Sequence, residues 1–377
     1  GHHDRDCMAH FTLLTGATGL VGSYLMRDLL RTGQKLAVIV RGRERRAAAK
    51  RVESILSEQE ALLGERLARP VCLEGNVNHA HLGLSNARRR WVARNCNRII
   101  HNAAALKFKE SDRALDPWKT NCDGTRRVLN FCRRAGIRQF HYVSTAYVCG
   151  KRIGVILERE LAERQEFRND YEHSKFLAEQ MVRDDDYLDK PTIYRPVAIA
   201  GDSETGHTTS YHGVYVYLRF LSSLFRKMSS SVDGKSSVPL RIALQGDERR
   251  NLVPVNWVSE VICHLVASPS ARGLTYHLAP QVPITARLLL EAVYAYYSSD
   301  GVQFRGPDWG RPADLTIAEA GFLSHSSVYK DYERDDPDFD TRRLRRHAGH
   351  ILCPTIDRTV IHRYLHFGER DQWGKRS

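Results

Sequence analysis

Three glycines, Gly16, Gly19 and Gly22, stand between a short apolar run at 10–14 and the stretch Ser23-Tyr24-Leu25-Met26, in the order Thr15-Gly16-Ala17-Thr18-Gly19-Leu20-Val21-Gly22. A strand that turns into a helix through this spacing gains a tight turn at the first glycine, a close backbone approach at the second and tight helix-to-strand packing at the third. The helix start adds N–H donors and a partial positive charge. Gly16, Thr18, Gly19, Leu20, Val21 and Gly22 are therefore expected to cradle a pyrophosphate.

The rest of the first half fits such a turn. Apolar runs at 10–14, 36–40, 70–73, 98–101, 138–143 and 191–195 alternate with helical patterns at 20–32, 44–63, 85–95, 122–135 and 171–184. Strands alternating with helices imply right-handed crossovers and a parallel sheet. The fold class expected is α/β, a Rossmann-type doubly wound parallel sheet with a smaller C-terminal substrate-binding lobe. The nucleotide domain is expected over 9–200, with a return at about 240–265, and the lobe over most of 201–377. Residues 202–213 and 228–240 are rich in Ser, Thr, Gly and His, while 214–226, 286–298 and about 355–366 read as helices and 330–347 as a solvated, charge-rich surface.

A second set of residues carries chemistry. Tyr171 and Lys175 in Tyr171-Glu172-His173-Ser174-Lys175 lie one helical turn apart, and Val143-Ser144-Thr145 brings a hydroxyl to the end of a strand. A phenol with an ordinary pKa near 10 is a poor proton donor and acceptor near neutrality, and an ammonium on the same helix face is expected to lower it. With the glycine turn, this reads as a nicotinamide-dependent oxidoreductase with Thr145, Tyr171 and Lys175 as catalytic residues and Ser144 as the alternative hydroxyl. After the strand at 36–40 come Arg41-Gly42-Arg43, with no acid before Glu44. A guanidinium there suits the 2′-phosphate of NADPH, whereas NAD-selective sites carry a carboxylate for the ribose.

TGATGLVG, HNAAA (101–105), NCDGT (121–125), VSTAYV (143–148), YEHSK (171–175) and YRPVAIAGDSETG (194–206) together resemble the extended short-chain dehydrogenase/reductase family. VIVRGRERRAAAKR (38–51), GDSETG, NLVPVNWVSEVI (251–262) and the later DFDTRRL and CPTIDRTVIHRYL resemble its thioester-reductase and fatty-acyl-CoA-reductase branch. The resemblance covers about residues 10–367. It implies Asn76 and Val77 at the adenine, where the family usually has an Asp, and Ala103, Ala104 and Ala105 lying against the cofactor. Asn121 is implied near the site, Arg195, Pro196 and Val197 at the nicotinamide end, and Ser203 beside the substrate. The reaction implied is NADPH-dependent reduction of an acyl thioester, on coenzyme A or an acyl carrier protein, to an aldehyde or onward to the alcohol. A ketone or secondary-alcohol oxidoreductase on a sterol, polyketide or nucleotide-sugar, and a non-catalytic NADPH-binding regulator, are the competing readings.

Composition narrows the field. The 377 residues carry a net charge of +13, which favours an anionic partner such as coenzyme A or an acidic carrier, or reflects an arginine-rich composition. The arginine groups at 41–51, 88–94 and 342–346 are dispersed and not interleaved with aromatics, so nucleic acid is not expected. Eight scattered cysteines and seventeen histidines form no ligand spacing, so free thiols and no metal are expected. No run approaches the roughly 18 apolar residues of a membrane span. Gly1 to Cys7 have no signal-like apolar stretch, and a cytoplasmic protein is expected.

Overall fold

The computed structural model describes residues 10–43, 47–228, 236–310, 313–332 and 334–375. The opening Gly1 to Cys7, the expected domain start at residue 9, and Glu44 lie outside the described residues.

Seven parallel strands form the main sheet: β1 Phe11–Thr15, β2 Leu36–Val40, β3 Val71–Glu74, β4 Cys96–His101, β5 Gln139–Val143, β6 Thr192–Pro196 and β7 Thr275–Leu278, in the order β7-β6-β5-β4-β1-β2-β3. β2 reads Leu-Ala-Val-Ile-Val and is buried at every residue, the pattern of a parallel strand covered on both faces. Helices α1 Leu20–Arg31, α2 Ala48–Leu63, α3 Asn86–Asn95, α4 Thr125–Ala135 and α5 Asp170–Arg183 connect the strands. A wide π-type turn, Lys119–Gly124, runs into α4, so the helix expected from 122 begins three residues later. Apolar side chains including Leu13, Ile39, Leu73, Ile99, Val128, Phe140 and Ile193 close the core between sheet and helices.

The chain divides into two compact units, each assembled from three segments. The first takes the chain up to Val197, then Val258–Leu278 and Phe339–Leu352; the second takes Ala198–Trp257, Ala279–Asp338 and the chain from Cys353. The return expected at about 240–265 therefore begins at Val258 and continues through β7, and 339–352 makes a further return. The reason is strand pairing: Leu252–Pro254 pairs in parallel with Ala198–Ala200 inside the second unit, while β7 adds to the edge of the main sheet beside β6.

The second unit has its own core. Tyr215, Leu218 and Phe225 of the helix Val214–Met228 pack with Val238 and Leu240, Val293, and Ile361 and Leu365 of the C-terminal helix Arg358–Arg370. The Ser-rich stretch at 228–240 does not stay irregular: Ser236–Ile242 is a strand paired in parallel with Ser299–Phe304. The charge-rich 330–347 likewise contains the helix Arg342–Ala348, with Leu344 and Ala348 buried.

Candidate active site

Parallel register sets Thr15, His101 and Tyr142 side by side at the C-terminal ends of β1, β4 and β5. Thr15 Oγ1 accepts the N–H groups of Asn102 and Ala103 at 3.0 and 3.1 Å, so its proton goes to His101 Nδ1 at 2.7 Å. His101 must then carry its proton on Nε2 and donate to Thr125 Oγ1 at 3.0 Å. Complete burial, reinforced by Lys175, lowers the imidazole pKa to about 3 and keeps the ring neutral. This row ties the backbone of the Ala103 loop to the glycine turn, and sequence reasoning overlooked it; the signal was a Thr and a His inside otherwise apolar strands.

The turn has the form its glycines require. Gly16 has φ +72°, and a Cβ there would meet Ala103 N at 2.7 Å. A Cβ on Gly22 would collide with the Gly16 carbonyl. Gly19 caps α1 without a side-chain acceptor, and Leu20 begins the helix, so the first N–H groups of α1 have no side-chain cap, as an anion site at a helix start requires; Thr18 and Val21 flank that start.

Arg41 and Arg43 are exposed just beyond β2. Two further arginines, missed in the sequence, gather there: Arg51 donates from Nη1 to the Arg41 carbonyl, and Arg88 from Nη1 to the Glu74 carbonyl at 3.4 Å, at the adjoining end of β3. Asn76 closes its own turn, its N–H bonded to Leu82 O at 2.7 Å and its Oδ1 accepting Asn78 N–H at 2.9 Å, while Val77 packs against the core. Ala104 is exposed and Ala103 half-buried.

α5 delivers the phenol and the ammonium. Asn169 caps it, accepting Glu172 N–H at 2.9 Å, and Asp170 and Glu172 in the first turn suit the helix dipole. The Thr145 side chain lies close enough to the Tyr171 phenol to act on its ionisation. Because Thr145 Oγ1 already accepts Tyr147 N–H at 3.3 Å, its own proton is available to the phenol oxygen. Ser144 is buried, and its Oγ has no hydrogen-bond partner. The structure thus brings Thr145, and not Ser144, to Tyr171. Lys175, 2% exposed, donates from Nζ to Val143 O at 2.9 Å and sits 4.6 Å from the centre of the Tyr142 ring.

The expected tuning of Tyr171 by Lys175 does not hold. Although part of Tyr171 remains accessible, the dense protein around its phenol pushes the pKa up to about 12; the Glu172 charge adds to this and the Thr145 side chain opposes it. Burial also lowers Lys175 to about 7, against the opposing pull of Glu179, so its ammonium is itself weakened. Desolvation outweighs the lysine.

Asn121 is fully engaged. Its Oδ1 accepts Ala105 N–H at 2.8 Å and its Nδ2 donates to Ala105 O and Ser174 Oγ at 3.0 and 2.9 Å, pinning the loop after β4 to α5. Arg195, implied at the nicotinamide, points into the interior instead. Nε and Nη2 bind Glu179 at 2.8 and 2.5 Å, Nη2 also Glu160 O at 2.7 Å, and Nη1 reaches Glu158 O and His277 Nε2 at 3.4 Å each. All five guanidinium N–H groups are used, so none remains for a cofactor. Pro196 and Val197 are buried at the end of β6. Ser203 belongs to the second unit, its N–H bonded to Asn256 Oδ1 at 3.0 Å and its carbonyl accepting Arg363 Nη1 at 2.6 Å. Among the described residues, no group of three or more His, Cys, Asp or Glu is arranged to hold a metal, and no helix is long and apolar enough to cross a membrane.

Comparison with known proteins extends this geometry. An NAD-binding family model described as male sterility protein matches residues 14–262. The isonitrile lipopeptide synthase of Streptomyces coeruleorubidus is 26% identical over 94% of this chain and 24% of its own length. The aldehyde reductase lnaA of Aspergillus flavus is 24% identical over 94% of the chain and 35% of its own. The chain therefore spans about a quarter to a third of these relatives. Among solved structures, the terminal R domain from the myxalamid PKS-NRPS biosynthetic pathway aligns with TM-score 0.75 and 25% identity, over 97% of this chain and 92% of that one.

Proposed function

The chain belongs to the NAD-binding male sterility protein family, in the thioester-reductase branch of the extended short-chain dehydrogenases/reductases, and from that premise we propose that it uses NADPH to reduce an acyl thioester to an aldehyde. The observation that carries the reading is the buried Thr145 hydroxyl beside the Tyr171 phenol, with buried Lys175 one turn along α5. A relative named as an aldehyde reductase and a structural counterpart titled as a terminal R domain support it.

The glycine turn fits a dinucleotide, because Gly16 and Gly22 let the backbone close tightly at the start of α1, and a Cβ at Gly19 would meet only Gly16 O at 3.8 Å, leaving room beside the helix N-terminus. Gly16, Thr18, Gly19, Leu20, Val21 and Gly22 would hold the pyrophosphate, Asn76 and Val77 the adenine, and Ala103 and Ala104 the adjoining backbone approach. Arg41 and Arg43, with Arg51 and Arg88 beside them, would hold the 2′-phosphate, and Lys175 the ribose next to the nicotinamide, with Pro196 and Val197 as neighbours. NADPH supplies the hydride.

Tyr171, with its pKa near 12, is fully protonated at neutral pH and acts as a donor. It and Thr145 donate hydrogen bonds to the substrate carbonyl oxygen as negative charge develops there, and Tyr171 passes its proton to that oxygen. With the hydride added to the carbonyl carbon and the proton on its oxygen, the adduct is a hemithioacetal; its C–S bond breaks as the hydroxyl proton passes to the leaving sulfur, giving the aldehyde and the free thiol, and Tyr171 regains a proton from solvent. The phosphates of coenzyme A, or an acidic carrier protein, are suited to a chain of net charge +13.

A thiol-reactive dye followed alongside NADPH oxidation tests the reaction, with one thiol expected per aldehyde formed. Consumption of NADPH on a ketone, with no activity on any thioester, overturns the proposal in favour of ketone reduction. Wild type is also expected to prefer NADPH over NADH, and Arg41→Ala to reduce that preference about tenfold by removing a charge-assisted contact. Ratios of kcat/KM for the two cofactors decide it: an unchanged ratio removes Arg41 from the phosphate site.

A further inference from the structure

Glu179 lies one turn beyond Lys175 on α5, on the same face, and is completely buried. Its carboxylate is clamped by two guanidiniums: Arg195 holds both oxygens, and Arg183 Nη2 adds a third contact at 3.0 Å to Oε2. Burial raises the Glu179 pKa, but the two guanidiniums more than offset it and leave the group an anion.

The groups facing Lys175 come from four elements. Glu179 shares its helix, with Tyr171 one turn earlier, Tyr142 comes from β5, His101 from β4 and Cys122 from the turn before α4. Burial keeps the Tyr142 and Tyr171 phenols and the Cys122 thiol protonated, and His101 is neutral. Glu179 is thus the one negative charge in this set at neutral pH. Its oxygens are already occupied by Arg195 and Arg183, so Lys175 binds the Val143 carbonyl and not the carboxylate. The lysine feels the charge without spending its donors on it.

We infer that Glu179 is a positioning residue for the reaction: clamped by Arg195 and Arg183, its carboxylate holds Lys175 as a charged ammonium whose N–H groups stay available beside Tyr171. The inference rests on Lys175 acting with Tyr171 as proposed above, and is independent of whether the substrate is a thioester or a ketone.

The test compares kcat/KM against pH for wild type and Glu179→Gln with whichever carbonyl substrate wild type reduces. The alkaline limb, where Lys175 loses its proton, is expected near pH 7 in wild type and about one pH unit lower in the variant, since loss of a neighbouring opposite charge shifts a pKa by about that much or more. The acid plateau should stay within about threefold, because a protonated Lys175 no longer needs the carboxylate. Glu179→Gln leaves Arg195 buried without its partner, so the double variant Glu179→Gln/Arg195→Met, which removes both charges of the pair, provides the same comparison if the single variant does not fold. The pH dependence of NADPH binding, followed by cofactor fluorescence, reads the same displacement without turnover. Activity lost evenly across pH with an unmoved limb, in folded protein, would assign Glu179 to stability alone and overturn the inference.

Discussion

Tyr171→Phe is expected to lower NADPH-dependent turnover at least about a hundredfold, the lower range for loss of a general acid, while NADPH affinity stays within a few-fold of wild type. The substitution removes one oxygen and keeps the ring, whose tilted packing on Phe108, 6.4 Å between centroids, holds that end of α5 in place. Thr145 would remain as a hydroxyl donor, and an aliphatic hydroxyl has no comparable proton to give. NADPH absorbance gives the rate and cofactor fluorescence the affinity. Near-normal turnover would remove Tyr171 from the mechanism, and lost cofactor binding would move its role to the binding step.

Arg195→Met should cost about 3–5 kcal/mol of stability, the usual consequence of removing one partner from a buried ion pair. The estimate follows from how the guanidinium is spent: two contacts to the Glu179 carboxylate, two to the carbonyls of Glu158 and Glu160, and one to His277. Met fills much of the volume but supplies none of the donors, and it leaves Glu179 with Arg183 as its remaining guanidinium. Urea denaturation followed by circular dichroism measures the change. A loss below about 1 kcal/mol, the range of a solvent-exposed pair, would contradict the buried network described above.

The parts of the molecule that depend on neighbours in the chain were legible. β2 was readable residue for residue from five consecutive apolar side chains, and α5, expected at 171–184, from its helical period, while the Gly16–Gly22 turn announces its own geometry. What was not legible depends on distant residues. β7 is only Thr-Tyr-His-Leu and becomes a strand because β6 offers it an edge. Arg195 sits in a motif that points toward a cofactor, yet its partners lie at 158, 160, 179 and 277, and no local pattern brings those positions together. The ionisation of Tyr171 and Lys175 was misjudged for a related reason: spacing along a helix gives the distance between two groups but not the density of protein around each. Thr145 was preferred to Ser144 from the motif alone, and the three-dimensional neighbourhood of Tyr171 is what separates the two adjacent hydroxyls.

The three-segment construction of the first unit restricts how that unit can come into being. Both oxygens of the buried Glu158 are met by backbone N–H groups from late in the chain, His277 at 3.1 Å and Arg343 at 2.7 Å. During synthesis, a ribosome that has completed β6 has produced every strand of the sheet but one, while this carboxylate still lacks both donors. The nucleotide unit must wait for about 150 more residues, emerging at roughly 5–20 per second, before its interior can be satisfied. Cutting the gene at the apparent end of the dinucleotide domain would yield a polypeptide with the whole fingerprint and an unfinished core, so the smallest independently folding version of that domain has to include residue 343.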